Sequence, residues 1–165
     1  MSDAIDRALV EVIRELLEAC RKRQLKIATA ESCTGGLIAA CLTDISGSSD
    51  VFERGFVTYS NEAKQETLGV PAELITSDGA VSEAVAKAMA EAALVRSRAD
   101  LAVAVTGVAG PNGGTAQKPV GLVYMATARR GAPTLAYKRN FDGDRRAVRW
   151  ATVAAALQAL AERVK

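Results

Sequence analysis

The sequence predicts an α/β domain on a mixed sheet of five strands, parallel in its first part and antiparallel in its last. Three observations carry that expectation. The apolar run Leu25 to Ala30 leads into the turn Ala30-Glu31-Ser32-Cys33-Thr34-Gly35-Gly36 and then into apolar residues at helical spacing, which makes one strand-turn-helix unit. Asp100 to Thr106 is apolar almost throughout, as a strand covered on both faces should be. Only Arg129-Arg130-Gly131-Ala132-Pro133 separates Leu122 to Ala128 from Thr134 to Phe141, a connection that fits a hairpin and is too short for a crossover helix.

A chain of 165 residues, 49% of them hydrophobic, can bury one substantial core, and a single domain over residues 1-165 is the simplest organisation. The formal net charge of +2 is too weak a field to make nucleic acid or an anionic membrane the expected partner. Small anionic metabolites remain open. The N-terminal Met1-Ser2-Asp3-Ala4-Ile5-Asp6 is acidic and lacks the basic-then-apolar pattern of a signal peptide, and no apolar run approaches a bilayer's thickness, so a cytoplasmic location is expected. Cys20, Cys33 and Cys41 are odd in number and show no metal-like spacing, which argues against a disulfide framework. The chain contains no histidine. That removes the commonest general base and the commonest zinc ligand, and leaves lysine, carboxylate or tyrosine to move protons.

In chain order, Ile5, Leu9, Val12, Ile13, Leu16, Leu17 and Cys20 recur at three- and four-residue steps and define an amphipathic helix over residues 4 to about 20, ended by the basic Arg21-Lys22-Arg23. After the strand to Ala30, a helix from about Thr34 to Thr43 follows, with Ser32 or Thr34 as a candidate cap. The polar loop Ile45 to Asp50 precedes a second strand, Phe56 to Ser60, and Ser60 or Asn61 can cap the helix Glu62 to Leu68. Lys64 falls in that helix's first turn, where the dipole disfavours a cation; a charge against its environment hints at function. Gly69-Val70-Pro71 and Ser77-Asp78-Gly79 break the chain, and Ser82 caps an alanine-rich helix to about Arg96 with Val85, Ala88, Met89, Ala92, Leu94 and Val95 inward. The third strand runs into the glycine-rich loop Thr106-Gly107-Val108-Ala109-Gly110-Pro111-Asn112-Gly113-Gly114, which lacks the Walker lysine pattern. The closing helix carries Val148, Trp150, Ala151, Ala154 and Leu157 as inner candidates. Arg145, Arg146 and Arg149 near its start are either solvated surface, paired with Asp142 or Asp144, or a seat for a phosphate.

Ligands of open sheets bind beyond the carboxyl ends of parallel strands. Three loops meet there: one with Glu31 and Ser32, one with Tyr59, Ser60 and Lys64, and one with Thr106 and the glycine loop. A hydroxyl, a lysine and backbone donors support acyl transfer without histidine, the hydroxyl attacking a carbonyl while a neutral lysine takes its proton. Tyr59 can relay a proton or orient the lysine, or be a packed ring with a wet tip.

Several separate motifs, in order, resemble the CinA C-terminal domain family. They are Ala30 to Gly36, Ser46 to Ser49, Phe52 to Lys64, Gly79 to Ser82, Thr106 to Gly110, Lys118 to Gly121 and Phe141 to Arg149, which together cover nearly the whole chain. The resemblance implies a three-layer αβα fold with a mostly parallel sheet. It also implies hydrolysis of nicotinamide mononucleotide to nicotinic acid mononucleotide and ammonia by a Ser/Lys mechanism with no metal or cofactor. The family's functional positions fall on Ser32, Ser49, Tyr59, Lys64, Thr106 and Arg146, with Lys64 as base and Cys33 as a neighbour. Glu31, Cys33, Thr34, Gly107, Gly110, Arg145, Arg146 and Arg149 are the expected substrate contacts, an arginine taking the phosphate. Both Ser32 and Ser49 lie in family motifs. Topology favours Ser32, because the Ser49 loop precedes its strand and sits at the opposite sheet edge unless it folds over or enters a neighbouring copy's site. Whether copies associate stays open. The additional nucleotide-processing domain of longer members is not expected here. The competing readings are a nucleotide-binding module without turnover and a broader or Cys33-dependent amidase.

Overall fold

A computed structural model describes residues 7–165; Ile5 and the acidic start lie outside them. Eleven elements follow in order: α1 Arg7–Lys22, β1 Ile27–Glu31, α2 Leu37–Thr43, β2 Phe52–Val57, α3 Asn61–Leu68, α4 Ala72–Asp78, α5 Glu83–Val95, β3 Leu101–Gly107, β4 Leu122–Arg129, β5 Ala132–Asn140 and α6 Arg145–Val164. The sheet order is β2-β1-β3-β4-β5. β1 pairs in parallel with β2 and β3, while β4 runs antiparallel to both β3 and β5, so four of the five strands point the same way.

The two faces of this sheet are built from different residues. Ile27 of β1, Leu101, Val103 and Val105 of β3 and Met125 of β4 meet α1, α2 and α6 in one core. On the other face the strands present alanine almost alone, Ala28, Ala30, Ala102, Ala104, Ala126 and Ala128, against Val85, Ala86, Met89, Ala90 and Ala93 of α5. Small residues on both partners let α5 lie close to the strands, which an alanine-rich helix can do and a leucine-rich one cannot. The three-layer αβα arrangement follows. No helix among the described residues is long and apolar enough to cross a membrane.

Several boundaries differ from expectation. β2 begins at Phe52 rather than Phe56 and ends at Val57. It is an edge strand whose Arg54 and Gly55 are exposed, and an irregularity opposite Ile27/Ala28 shifts its register, so no alternating pattern marks its first half. α4 forms between the two glycine breaks, seven residues entered from Pro71, too short to show a helical period. In α5 the inward stripe is Val85, Ala86, Met89, Ala90, Ala93 and Leu94, whereas Val95 is 81% exposed. In α6, Thr152, Val153, Ala156 and Leu160 join Val148 and Leu157 inside, and Trp150, Ala151 and Ala154 are only half-buried.

The connection leaving β1 passes through α2 on one face to β2, and the one from β2 returns through α3, α4 and α5 on the other face to β3. The topological switch point therefore falls between the carboxyl ends of β1 and β3, where an open sheet leaves a crevice.

Candidate functional site

β1 ends at Glu31, and its side chain decides what the following turn can do. Fully buried, the carboxylate accepts from the Thr34 hydroxyl at 2.7 Å and from the N–H groups of Gly36 and Ile38 at 3.0 Å and Ala39 at 2.8 Å. No side chain caps α2 from its flanking position, which Gly36 occupies with a left-handed φ of 99°. Glu31 therefore caps the helix from a distance, and its charge meets the positive end of the dipole. The α2 terminus is thereby closed to a substrate anion, contrary to the simplest expectation for such a turn. Glu31 and Thr34, expected among the substrate contacts, have their side chains turned into the fold. Arg149 of α6 secures the same turn, donating through Nε to the Cys33 carbonyl at 3.2 Å and through Nη2 to the Thr34 carbonyl at 2.9 Å.

Ser32, held by its N–H to the Val105 carbonyl at 3.1 Å, keeps its hydroxyl on the crevice side. α3 begins at the next loop, with the Ser60 hydroxyl accepting from the Ala63 N–H at 3.0 Å. One residue further, Lys64 runs inward with 1% of its surface exposed. Its Nζ lies 3.0 Å from Ser32 Oγ and 2.9 Å from the Thr58 carbonyl. No carboxylate among the described residues pairs with it. Burial pushes its pKa below the ordinary 10.5, the direction a general base needs, with the Cys33 thiol opposing weakly.

Ser32, Cys33, Tyr59, Lys64, Thr106, Gly107 and Arg145 line one pocket of about 210 Å³. Asn61, Ala80, Val81 and Ala109 complete it, and these carried no chemical signal in the sequence because three are apolar and Asn61 reads as a helix start. Thr106 donates its hydroxyl to the Ala80 carbonyl at 2.8 Å, tying β3 to the α4–α5 connection. Arg145 bridges the mouth, Nη1 to the Gly110 carbonyl at 2.9 Å and Nη2 to the Tyr59 hydroxyl at 2.8 Å. A wider groove of about 730 Å³ continues past Arg145 along Arg146, Arg149, Pro111 and Val120. Asp144 is spent on capping α6, accepting from the Ala147 N–H at 2.8 Å. Neither Arg145 nor Arg149 is ion-paired among the described residues, so their charges face neutral carbonyls and the groove.

Ser49 is not brought to this pocket within the chain. It sits in a 3-10 turn, Ser48–Asp50, immediately before β2, whose first residue pairs with Ile27 at the start of β1. Five residues of strand, roughly 16 Å, separate that end of β1 from Ser32.

Residues 9–164 match the family described as CinA C-terminal domain. The chain belongs to the CinA C-terminal domain family. Its family relatives include proteins named nicotinamide-nucleotide amidohydrolase PncC from Shigella flexneri and from Escherichia coli K12. Each is 48% identical over 155 residues, 94% of this chain and 94% of the relative. Among solved structures of the CinA group, the competence/damage inducible protein CihA from Agrobacterium tumefaciens superposes with a TM-score of 0.90 at 52% identity, covering 92% of this chain and 93% of that one.

Within this CinA domain, Cys33 lines the pocket beside Ser32. It is 5% exposed, and desolvation raises its pKa to about 11, so it is a thiol at neutral pH and a poor attacking group. Cys33→Ala is expected to keep most of the wild-type turnover, and slow labelling of Cys33 by iodoacetamide at pH 7, read by mass spectrometry, checks the cause.

Proposed function

We propose that the protein hydrolyses the carboxamide of nicotinamide mononucleotide, giving nicotinic acid mononucleotide and ammonia, with Ser32 as nucleophile and Lys64 as base. The observation that carries this reading is the 3.0 Å contact between Lys64 Nζ and Ser32 Oγ inside a buried pocket. The names of the PncC relatives supply the substrate class.

In the first half-reaction Ser32 Oγ attacks the carboxamide carbon while neutral Lys64 accepts the hydroxyl proton. The Cys33 N–H directly follows the attacking serine and faces its own sulfur in the free site, and it is the donor assigned to the developing oxyanion. The Lys64 ammonium then returns its proton to the departing nitrogen, ammonia leaves, and a serine ester remains. Water, deprotonated by Lys64, attacks that ester; collapse of the second tetrahedral state re-forms the Ser32 hydroxyl and releases the acid. Thr106, through Ala80, holds the pocket wall, and Tyr59 is kept in place by Arg145.

The groove beyond Arg145 fits the ribose and phosphate. Arg146→Ala is expected to raise KM for the mononucleotide about ten- to a hundredfold with little change in kcat, the worth of a charge-assisted hydrogen bond. Nicotinamide riboside, which lacks the phosphate, should be a poor substrate for wild type and insensitive to that change. Release of ammonia from nicotinamide mononucleotide by the purified chain, coupled to glutamate dehydrogenase, tests the whole reading; no ammonia above a protein-free control would sink it.

A further inference from the structure

The buried amine that serves as base also faces whatever group stands at the substrate's reacting end. An ammonium has three N–H donors. In Lys64 two of them have acceptors, Ser32 Oγ and the Thr58 carbonyl, and the third has none among the described residues. A neutral amine instead accepts from the Ser32 hydroxyl and donates one N–H to Thr58, so the site left without an acceptor is an uncharged N–H and not that of an ammonium.

The charges around it sharpen this contrast. It shares its pocket with Ser32 and the Cys33 thiol of the β1–α2 turn, Tyr59 of the β2–α3 loop and the Arg145 guanidinium of α6. Among the described residues the pocket lining contains no carboxylate, because Glu31 is committed to α2, while on neighbouring α5 Glu83 pairs with Lys87. Glu62 and Glu66 of its own helix are exposed.

On the proposed function, the substrate brings a pyridinium cation and a neutral amide into a pocket already holding Arg145. The product brings the same ring with a carboxylate. We propose that Lys64 is the residue that distinguishes amide from acid, the amide binding to its neutral form and the acid to its ammonium form. The carboxylate supplies a charged acceptor for the third N–H and offsets the pyridinium, whereas the amide offers only a neutral carbonyl oxygen beside the same cationic ring. Burial shifts the free amine in the direction of its neutral form, the form the amide prefers. Each turnover then leaves an acid that can stay only if Lys64 has taken up a proton, and product inhibition follows pH.

The test compares dissociation constants of nicotinic acid mononucleotide and nicotinamide mononucleotide on Ser32→Ala, which retains Lys64 and does not consume the amide, between pH 6 and 9. Both ligands carry the same phosphate, so its titration cancels in the ratio. The acid should gain on the amide by up to about tenfold per pH unit lowered, the signature of one linked proton. In Ser32→Ala/Lys64→Met the ratio should be flat. Competitive inhibition of the wild type by the acid, tightening as pH falls, gives the same readout with the hydroxyl in place. A ratio independent of pH, or one unaffected by the loss of Lys64, overturns the inference while ammonia release stands; absence of ammonia release overturns the functional reading and this inference with it.

Discussion

Lys64→Met should lower kcat for ammonia release by about 10²- to 10⁴-fold, the range over which a positioned general base contributes. Methionine keeps most of the side chain's volume, so the loss reports the amine and not a cavity. The wild-type rate should depend on pH through the same group. Lys64 works as a base only when neutral, and burial lowers its pKa below 10.5, so kcat/KM should rise with pH through that lowered pKa and level off above it. Stability carries the opposite half of the same linkage. Between the folded pKa and 10.5 the unfolded chain binds more protons at this position than the folded one, so the wild type gains stability as pH rises through that window. At neutral pH the buried amine is therefore a cost to the fold, and Lys64→Met should melt no lower than wild type, as read by calorimetry at pH 7. A variant that loses its turnover while keeping or raising its Tm is the pattern of a functional residue maintained against stability. Retained turnover would remove Lys64 from the chemistry.

How much of this could be read from the sequence depended on whether the signal was local. The β1 turn, the α3 cap at Ser60 and the apolar β3 are written in consecutive residues, and all three are present. Lys64 was marked by a local conflict, a cation in a first turn, and the fold resolves it by burying the amine against Ser32, half the sheet away in sequence. Glu31 misled for the same local reason. A carboxylate beside Ser32 reads as site chemistry, and only the three-dimensional return of α2 shows its four donors arriving from Thr34, Gly36, Ile38 and Ala39. The roles of Arg149 and Arg145 were equally non-local, since their acceptors lie on the β1 turn, the glycine loop and Tyr59. β2 and α4 were obscured by an edge register shift and by brevity, both of which erase periodicity without preventing hydrogen bonding.

Ser32→Ala and Ser49→Ala should separate by orders of magnitude. Removing the hydroxyl that stands 3.0 Å from Lys64 deletes the attacking atom, and turnover should fall by about 10³-fold or more while mononucleotide binding changes little. Ser49→Ala changes an exposed residue in a 3-10 turn at the far end of β1, tethered there by Lys26 Nζ donating to the Asp50 carbonyl and by Arg21 donating to the Gly47 carbonyl. Within one chain no rotation of the Ser49 side chain spans a whole strand, so its loss should leave kcat near wild type. Single-turnover ammonia release from both variants, each checked for an unchanged melting curve, decides between them. The reverse outcome, an active Ser32→Ala and a dead Ser49→Ala, would require the attacking hydroxyl to arrive from a second copy of the chain. Mixing Ser49→Ala with Lys64→Met protein would then restore activity, since an Lys64→Met copy still offers Ser49 and a Ser49→Ala copy still offers Lys64. If attack comes from Ser32, nucleophile and base sit in one pocket of one chain, and Ser32→Ala mixed with Lys64→Met should stay inactive at every ratio.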